Sequence, residues 1–138
     1  MSATFTWPVR VYYEDTDAGG VVYHAQYLKF MERARTEWLR ELGFDQTRLA
    51  EELQLMFVAH EVNIKFARPA RLNDLLQVSA SVESLKRVSL VFAQTIMRDE
   101  EIISRASVSI ACVNVQTLKP AMLPEALSKL LIILNNLS

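Results

Sequence analysis

The apolar residues of this chain pass from a helical period to a period of two between Leu42 and Leu55, and that change restricts what it can fold into. Tyr27, Phe30, Met31, Ala34, Trp38 and Leu42 recur at helical spacing, the signature of a helix with one buried face. Gly43 follows where a helix C-cap belongs. From Leu55 onward the period is two. Val58, Val62, Ile64 and Phe66 alternate with Ala59, Glu61, Asn63 and Lys65, and Leu76, Val78, Ala80 and Val82 alternate with Gln77, Ser79, Ser81 and Glu83. Leu90, Phe92 and Ile96, then Ala106, Val108, Ile110 and Cys112, continue the pattern.

The spacing predicts a helix over Ala25 to Leu42 and a shorter one over Gln46 to Leu53, with Asp45 as its N-cap. Four strands follow, joined around Pro69 to Asp74, Leu85 to Arg87 and Asp99 to Glu101. Connections that short favour antiparallel neighbours, because a parallel crossover needs about a dozen residues or more. A first strand reads from Phe5 to Glu14, with Pro8 suited to its start or to a sheet edge. Pro120 and Pro124 end the last strand, and Glu125 to Leu134 reads as a closing helix. The expected class is α+β, a single domain over residues 1–138 with an antiparallel sheet wrapped around a long central helix.

Half of the residues are hydrophobic and the net charge is −1, so no general electrostatic pull toward nucleic acid is expected. A lone cysteine, Cys112, forms no internal disulfide and fits a reducing compartment. Met1 to Pro8 carries neither a basic nor an apolar leader region, and Leu130 to Leu134 is too short for a membrane span, so the expected location is cytoplasmic. Val91, Ala93, Met97, Ala111 and Val113 make the second sheet face half apolar. Such surface is usually covered, so at least a dimer is expected.

The chemistry concentrates between Tyr13 and His24, which hold two of the three glycines and one of the two histidines. Asp17 precedes Gly19-Gly20 at the mouth of the central helix. A carboxylate there can act as general base or attack an acyl carbon, beside helix-start N–H groups able to hold an oxyanion. The competing reading is that Asp15 or Asp17 caps a turn. The Asp15-x-Asp17-x-Gly19-Gly20 run resembles the start of a calcium loop, but Gln26 stands where that loop needs glutamate. Asp15, Asp17 and His24 match no standard transition-metal spacing, so no metal is expected.

His24, at the first helical turn, either orients water or simply caps. His60 falls on the apolar face of its strand and reads as a core residue; Cys112 reads as core too. Glu32 is a second carboxylate candidate on the helix, whose charged face otherwise reads as solvated ion pairs. Lys86, Arg87 and Ser89 form a basic turn that is either an ordinary hairpin or a cradle for phosphates. No serine elbow, Walker loop or dinucleotide fingerprint is present.

Tyr13-x-Asp15-Thr16-Asp17-x-x-Gly20-x-Val22-Tyr23-His24-x-x-Tyr27, continuing to Glu32-x-Ala34-Arg35, resembles the 4-hydroxybenzoyl-CoA thioesterase-like group of hot-dog proteins. The run from Val9 to His24, with Lys119-Pro120-x-x-Leu123-Pro124, is similar to its branch of bacterial Tol-Pal-associated acyl-CoA thioesterases. The resemblance implies a hot-dog fold, assembly as a homodimer or homotetramer, and hydrolysis of acyl-CoA thioesters without a separate cofactor. It implies catalytic roles for Asp17 and for the backbone N–H at His24, and a nucleotide-binding role for Lys86, Arg87 and Ser89. Two other readings stay open. One is a dehydratase acting on acyl carrier protein substrates, the other a non-catalytic partner in the Tol-Pal system.

Overall fold

The computed structural model describes residues 4–136, so Met1 to Ala3 of the stretch read for a leader lie outside it. Strand β1 (Phe5–Arg10) leads into a short turn of 3-10 helix at Tyr13–Asp15. Helix α1 (His24–Glu41) follows, then α2 (Gln46–Arg48), which runs on as a π-helical turn at Leu49–Leu53. Strands β2 (Leu55–Phe66), β3 (Leu75–Leu85), β4 (Ser89–Arg98) and β5 (Glu101–Asn114) come next, and α3 (Glu125–Asn135) closes the chain.

The central helix forms where its period demanded, one residue earlier at each end. It buries Tyr27, Phe30, Met31, Ala34, Trp38 and Leu39 against inward-facing Leu76, Val78, Ala80, Leu90, Phe92 and Val108. Each large apolar side chain so buried contributes about 1.5–3 kcal/mol. Gly43, at φ 97°, takes the left-handed conformation that ends the helix. Asp45 caps α2 by accepting the N–H groups of Thr47 and Arg48.

Four expectations need correction. The first strand stops at Arg10 rather than Glu14, because the Asp15 carboxylate draws Tyr12 N–H into a turn. Strand β2 carries a bulge between Ala59 and Glu61. The extra residue flips the side-chain parity there. Val58 therefore pairs outward with Ala111, while Phe57, Ala59, Val62, Ile64 and Phe66 lie opposite or beside buried β5 residues. His60 sits at that bulge and is exposed, not in the core.

The fourth correction concerns topology. The sheet is antiparallel with strand order β1-β3-β4-β5-β2, so β2 and β3 are not neighbours despite the short segment between them. Residues 67–74 instead cross the sheet end from β2, at one edge, to β3, which lies next to the other edge strand. Pro8 does lie on an edge strand, where its missing N–H costs nothing. Cys112 is fully buried, as expected.

Candidate active site

Two hairpin-like closures build the loop that precedes α1. Thr16 bridges Val22, and Asp17 N–H donates to Val21 O at 2.9 Å. Gly20 N–H closes the turn on Asp17 O at 3.1 Å, and Gly20 sits at φ 81°, a conformation that suits a residue without Cβ. The crossing segment then clamps this loop. Val22 N–H donates to Ala70 O at 2.8 Å, and Val21 bridges Arg71.

The two aspartates have separate jobs. Asp15 is buried; its carboxylate accepts Tyr12 N–H at 2.9 Å and Gln26 Nε2 at 2.7 Å. Asp15 O also accepts Tyr23 N–H, which ties the loop to the helix start. Asp15 is thus the structural carboxylate. Asp17 is exposed and spends Oδ1 on Gly19 N–H at 2.8 Å, leaving Oδ2 without a partner among the described residues. An added Cβ at Gly19 would meet Asp17 Oδ1 at 3.2 Å, so the small residue keeps this side chain in place.

Helix starts leave N–H groups unpaired, and here the accounting is short. Tyr23 N–H goes to Asp15 O and Gln26 N–H to Tyr23 O, and Tyr23 contributes no side-chain cap. The N–H groups of His24 and Ala25 keep no partner among the described residues. A free carboxylate oxygen and two free helix-start donors therefore flank one short loop. The His24 ring is exposed and lies 4.8 Å from the Phe66 ring at the end of β2.

Tyr27, one turn into α1, anchors the site from beneath. Its buried hydroxyl accepts Ala70 N–H at 3.0 Å, and its ring meets Phe66 edge-on at 5.4 Å. Burial raises its pKa, the Ala70 N–H opposes that, and the charge of Asp17 adds to the rise. Arg98 braces the same crossing, pairing with Asp74 at 2.7 Å. Sequence reasoning did not place Tyr27, Phe66 or the crossing residues Ala70 and Arg71 at the site. Arg68-Pro69-Ala70-Arg71, two cations around a proline, was the available signal.

Lys86, Arg87 and Ser89 are not brought to Asp17 within one chain. They turn at the far end of β3, whose eleven residues span roughly 30 Å from the crossing. Lys86 and Arg87 are exposed, and Arg87 O accepts Leu123 N–H from the segment ahead of α3. Glu32 is exposed on α1 and lines a cavity beside Leu39 rather than the Asp17 loop. Among the described residues no three His, Cys, Asp or Glu side chains converge as a metal set would.

The family model described as the thioesterase superfamily matches residues 19–104. The chain is 51% identical to the acyl-CoA thioesterase YbgC of Haemophilus influenzae, over 88% of this chain and 89% of that one. It belongs to the thioesterase superfamily. It is also 47% identical to the acyl-CoA thioester hydrolase YbgC of Escherichia coli, over 89% of this chain and 92% of that one. A probable thioesterase from Bartonella henselae shares the fold at a TM-score of 0.85 and 40% identity, covering 88% of this chain and all of that one. The family match begins two residues after Asp17 and includes the glycine turn, α1 and the basic turn. The expected α+β hot-dog architecture, a sheet curved about one long helix, is the observed one.

Proposed function

We propose that this protein hydrolyses acyl-CoA thioesters, with Asp17 as general base or nucleophile and the N–H groups of His24 and Ala25 holding the oxyanion. The observation that carries this reading is the pairing on one short loop of a free carboxylate oxygen with two unpartnered helix-start donors. The thioester carbonyl oxygen lies on those donors, where the helix dipole favours negative charge. Asp17 Oδ2 takes a proton from water, whose oxygen attacks the carbonyl carbon, or attacks that carbon itself to form an anhydride that water then opens. Either way the tetrahedral adduct collapses, the C–S bond breaks, and the CoA thiolate leaves with a proton from solvent or from the Asp17 carboxyl. A thiolate is a good leaving group, which is why no serine triad is required. The relatives' names as acyl-CoA thioesterases support this substrate class.

Asp17 and His24 are exposed in a single chain, so the reading needs a second copy to close the site. Strand β2 is a long sheet edge that, among the described residues, pairs with β5 alone and shows Val58, Val62 and Phe66 to solvent. An unpaired edge of that kind invites another strand. A two-fold axis through β2 reverses the second sheet, which brings the second copy's Lys86, Arg87 and Ser89 to the end where Asp17 sits. Those residues then hold the phosphates of CoA, two to three strand spacings, roughly 15 Å, from the shared edge. The homodimer is the minimum working unit, with a homotetramer built on the half-apolar outer face around Val91 and Ala111.

Asp17→Asn tests the reading directly. Thiol release from a series of acyl-CoA substrates is expected to fall by about 10²–10⁴-fold. Wild-type release from a folded Asp17→Asn protein would refute the assignment.

A further inference from the structure

The inner face of β2 does not close on α1. Val62 and Phe66 remain 40% and 45% exposed although their strand positions face the helix side, and Leu28 of α1 is 39% exposed. The His24 and Phe66 rings meet at one end of this exposed apolar stretch, 4.8 Å apart. Further along α1 and β2 lies a cavity of about 190 Å³, lined by Glu32, Arg35, Leu39, Phe57, Phe92 and Leu127 among others. The bulge at His60 is what keeps Phe57 and Ala59 on the same face as Phe66.

Arg35 is the one cation among the residues lining this cavity, where Thr36, Gln46 and the Glu32 carboxylate are the other polar side chains. It is half-buried, and its Nη1 donates 2.9 Å to Gln94 Oε1, a neutral acceptor. Gln94 is itself buried and fixed in orientation, since its amide donates to Met31 O and Ser79 O. The guanidinium stands 6.0 Å from the Phe92 ring centre. No carboxylate lies within ion-pair distance of it among the described residues. Glu32, one turn earlier, is exposed and acts on it only at longer range, while burial pulls the Arg35 pKa below the ordinary arginine value. A half-buried guanidinium with unused donors and no carboxylate in ion-pair contact is stabilised by an anion that completes it.

We propose that Arg35 is a specificity residue at the far end of the acyl path, selecting acyl groups that end in a carboxylate. The inference rests on the hydrolase reading above and names the substrate class of that same site. His24 and Arg35 are eleven residues apart, close to three full turns, so they share a helix face roughly 16 Å apart along the axis. Long side chains lean back toward the helix start, which shortens the gap. An extended acyl chain advances roughly 1.3 Å per bond, so about eight to ten carbons reach from the helix start to the guanidinium. Leu28, Val62 and Phe66 take the methylenes, and the Arg35 fork takes the terminal carboxylate in the bidentate geometry that guanidinium favours.

The test compares two non-hydrolysable thioethers, S-octyl-CoA and S-(7-carboxyheptyl)-CoA, by calorimetry, and suberyl-CoA with octanoyl-CoA by thiol release. Wild type is expected to bind the carboxylated thioether at least tenfold more tightly and to show the same preference in kcat/KM. In Arg35→Met, which keeps length but removes the charge, both ratios are expected to collapse toward one; Arg35→Lys restores part of them. Equal affinity of wild type for the two thioethers overturns the proposal. So does an Arg35→Met protein that weakens both equally, the mark of a purely structural arginine. Selective binding without any thiol release would instead sink the hydrolase reading while leaving Arg35 selective.

Discussion

Two aspartates two residues apart offer a sharp test, because one is assigned to the fold and the other to the chemistry. Asp15→Ala removes the acceptor of Tyr12 N–H and Gln26 Nε2 from a site only 4% exposed. Hydrogen bonds to a charged group contribute about 1.5–3 kcal/mol each, but Gln26 is half-buried and can turn to water, so the loss is about 3 kcal/mol. For a chain of this length a kilocalorie corresponds to roughly 3–4 °C in Tm, so Asp15→Ala is expected to melt about 10 °C lower. Asp15→Asn is far milder. Its Oδ1 still accepts Tyr12 N–H, and its amide donates to Gln26 once that side chain flips end for end.

Asp17→Asn is expected to show the opposite pattern. Asp17 is exposed, and the bond its side chain accepts from Gly19 N–H survives the change. Its melting temperature should stay within about 2 °C, since exposed substitutions usually lie within about ±0.5 kcal/mol. Turnover should fall by orders of magnitude. Thermal unfolding followed by circular dichroism, run beside thiol release on the same three proteins, reads both axes at once. An Asp15→Ala protein as stable as wild type refutes the division of labour, as does an Asp17→Asn protein that loses stability in step with its activity.

Three further outcomes are expected. Tyr27→Phe leaves Ala70 N–H without its acceptor in a buried position, which costs about 1–3 kcal/mol and loosens the crossing over the site; a urea titration measures it. Lys86→Ala with Arg87→Ala raises KM for acyl-CoA while changing kcat little, and the effect shrinks as salt rises from about 0.05 to about 0.5 M, because exposed charge contacts are screened. Burial raises the Cys112 thiol pKa, so less thiolate forms at any given pH in the folded chain than in the unfolded one. A thiol reagent at about pH 8 should therefore label Cys112 slowly in the native protein and quickly in denaturant.

What could be read in the sequence is what depends on near neighbours along the chain. The helical period from Tyr27 to Leu42 identified the element that the sheet wraps, and Asp45 acted as the cap that its position suggested. The nearness of Asp17 to the helix start at His24 was legible for the same reason, the two being a few residues apart. The strand limits were found less well. A single bulge at His60 reversed the facing of Val58, and periodicity cannot show a bulge inside a run of uniformly strand-like residues.

The harder loss was the identity of strand neighbours. A short connection between β2 and β3 argued for pairing, yet those strands stand three places apart, and the eight residues between them cross the sheet end instead. That crossing supplies the site with its second side. Ala70 accepts Val22 N–H and donates to Tyr27, and Arg71 bridges Val21, so the loop bearing Asp17 is held by residues about fifty positions away. The same order leaves β2 alone at the edge beside α1. The second side of the Asp17 loop therefore exists because the chain took the longer route between strands, a choice made by packing across the whole sheet rather than by any local signal.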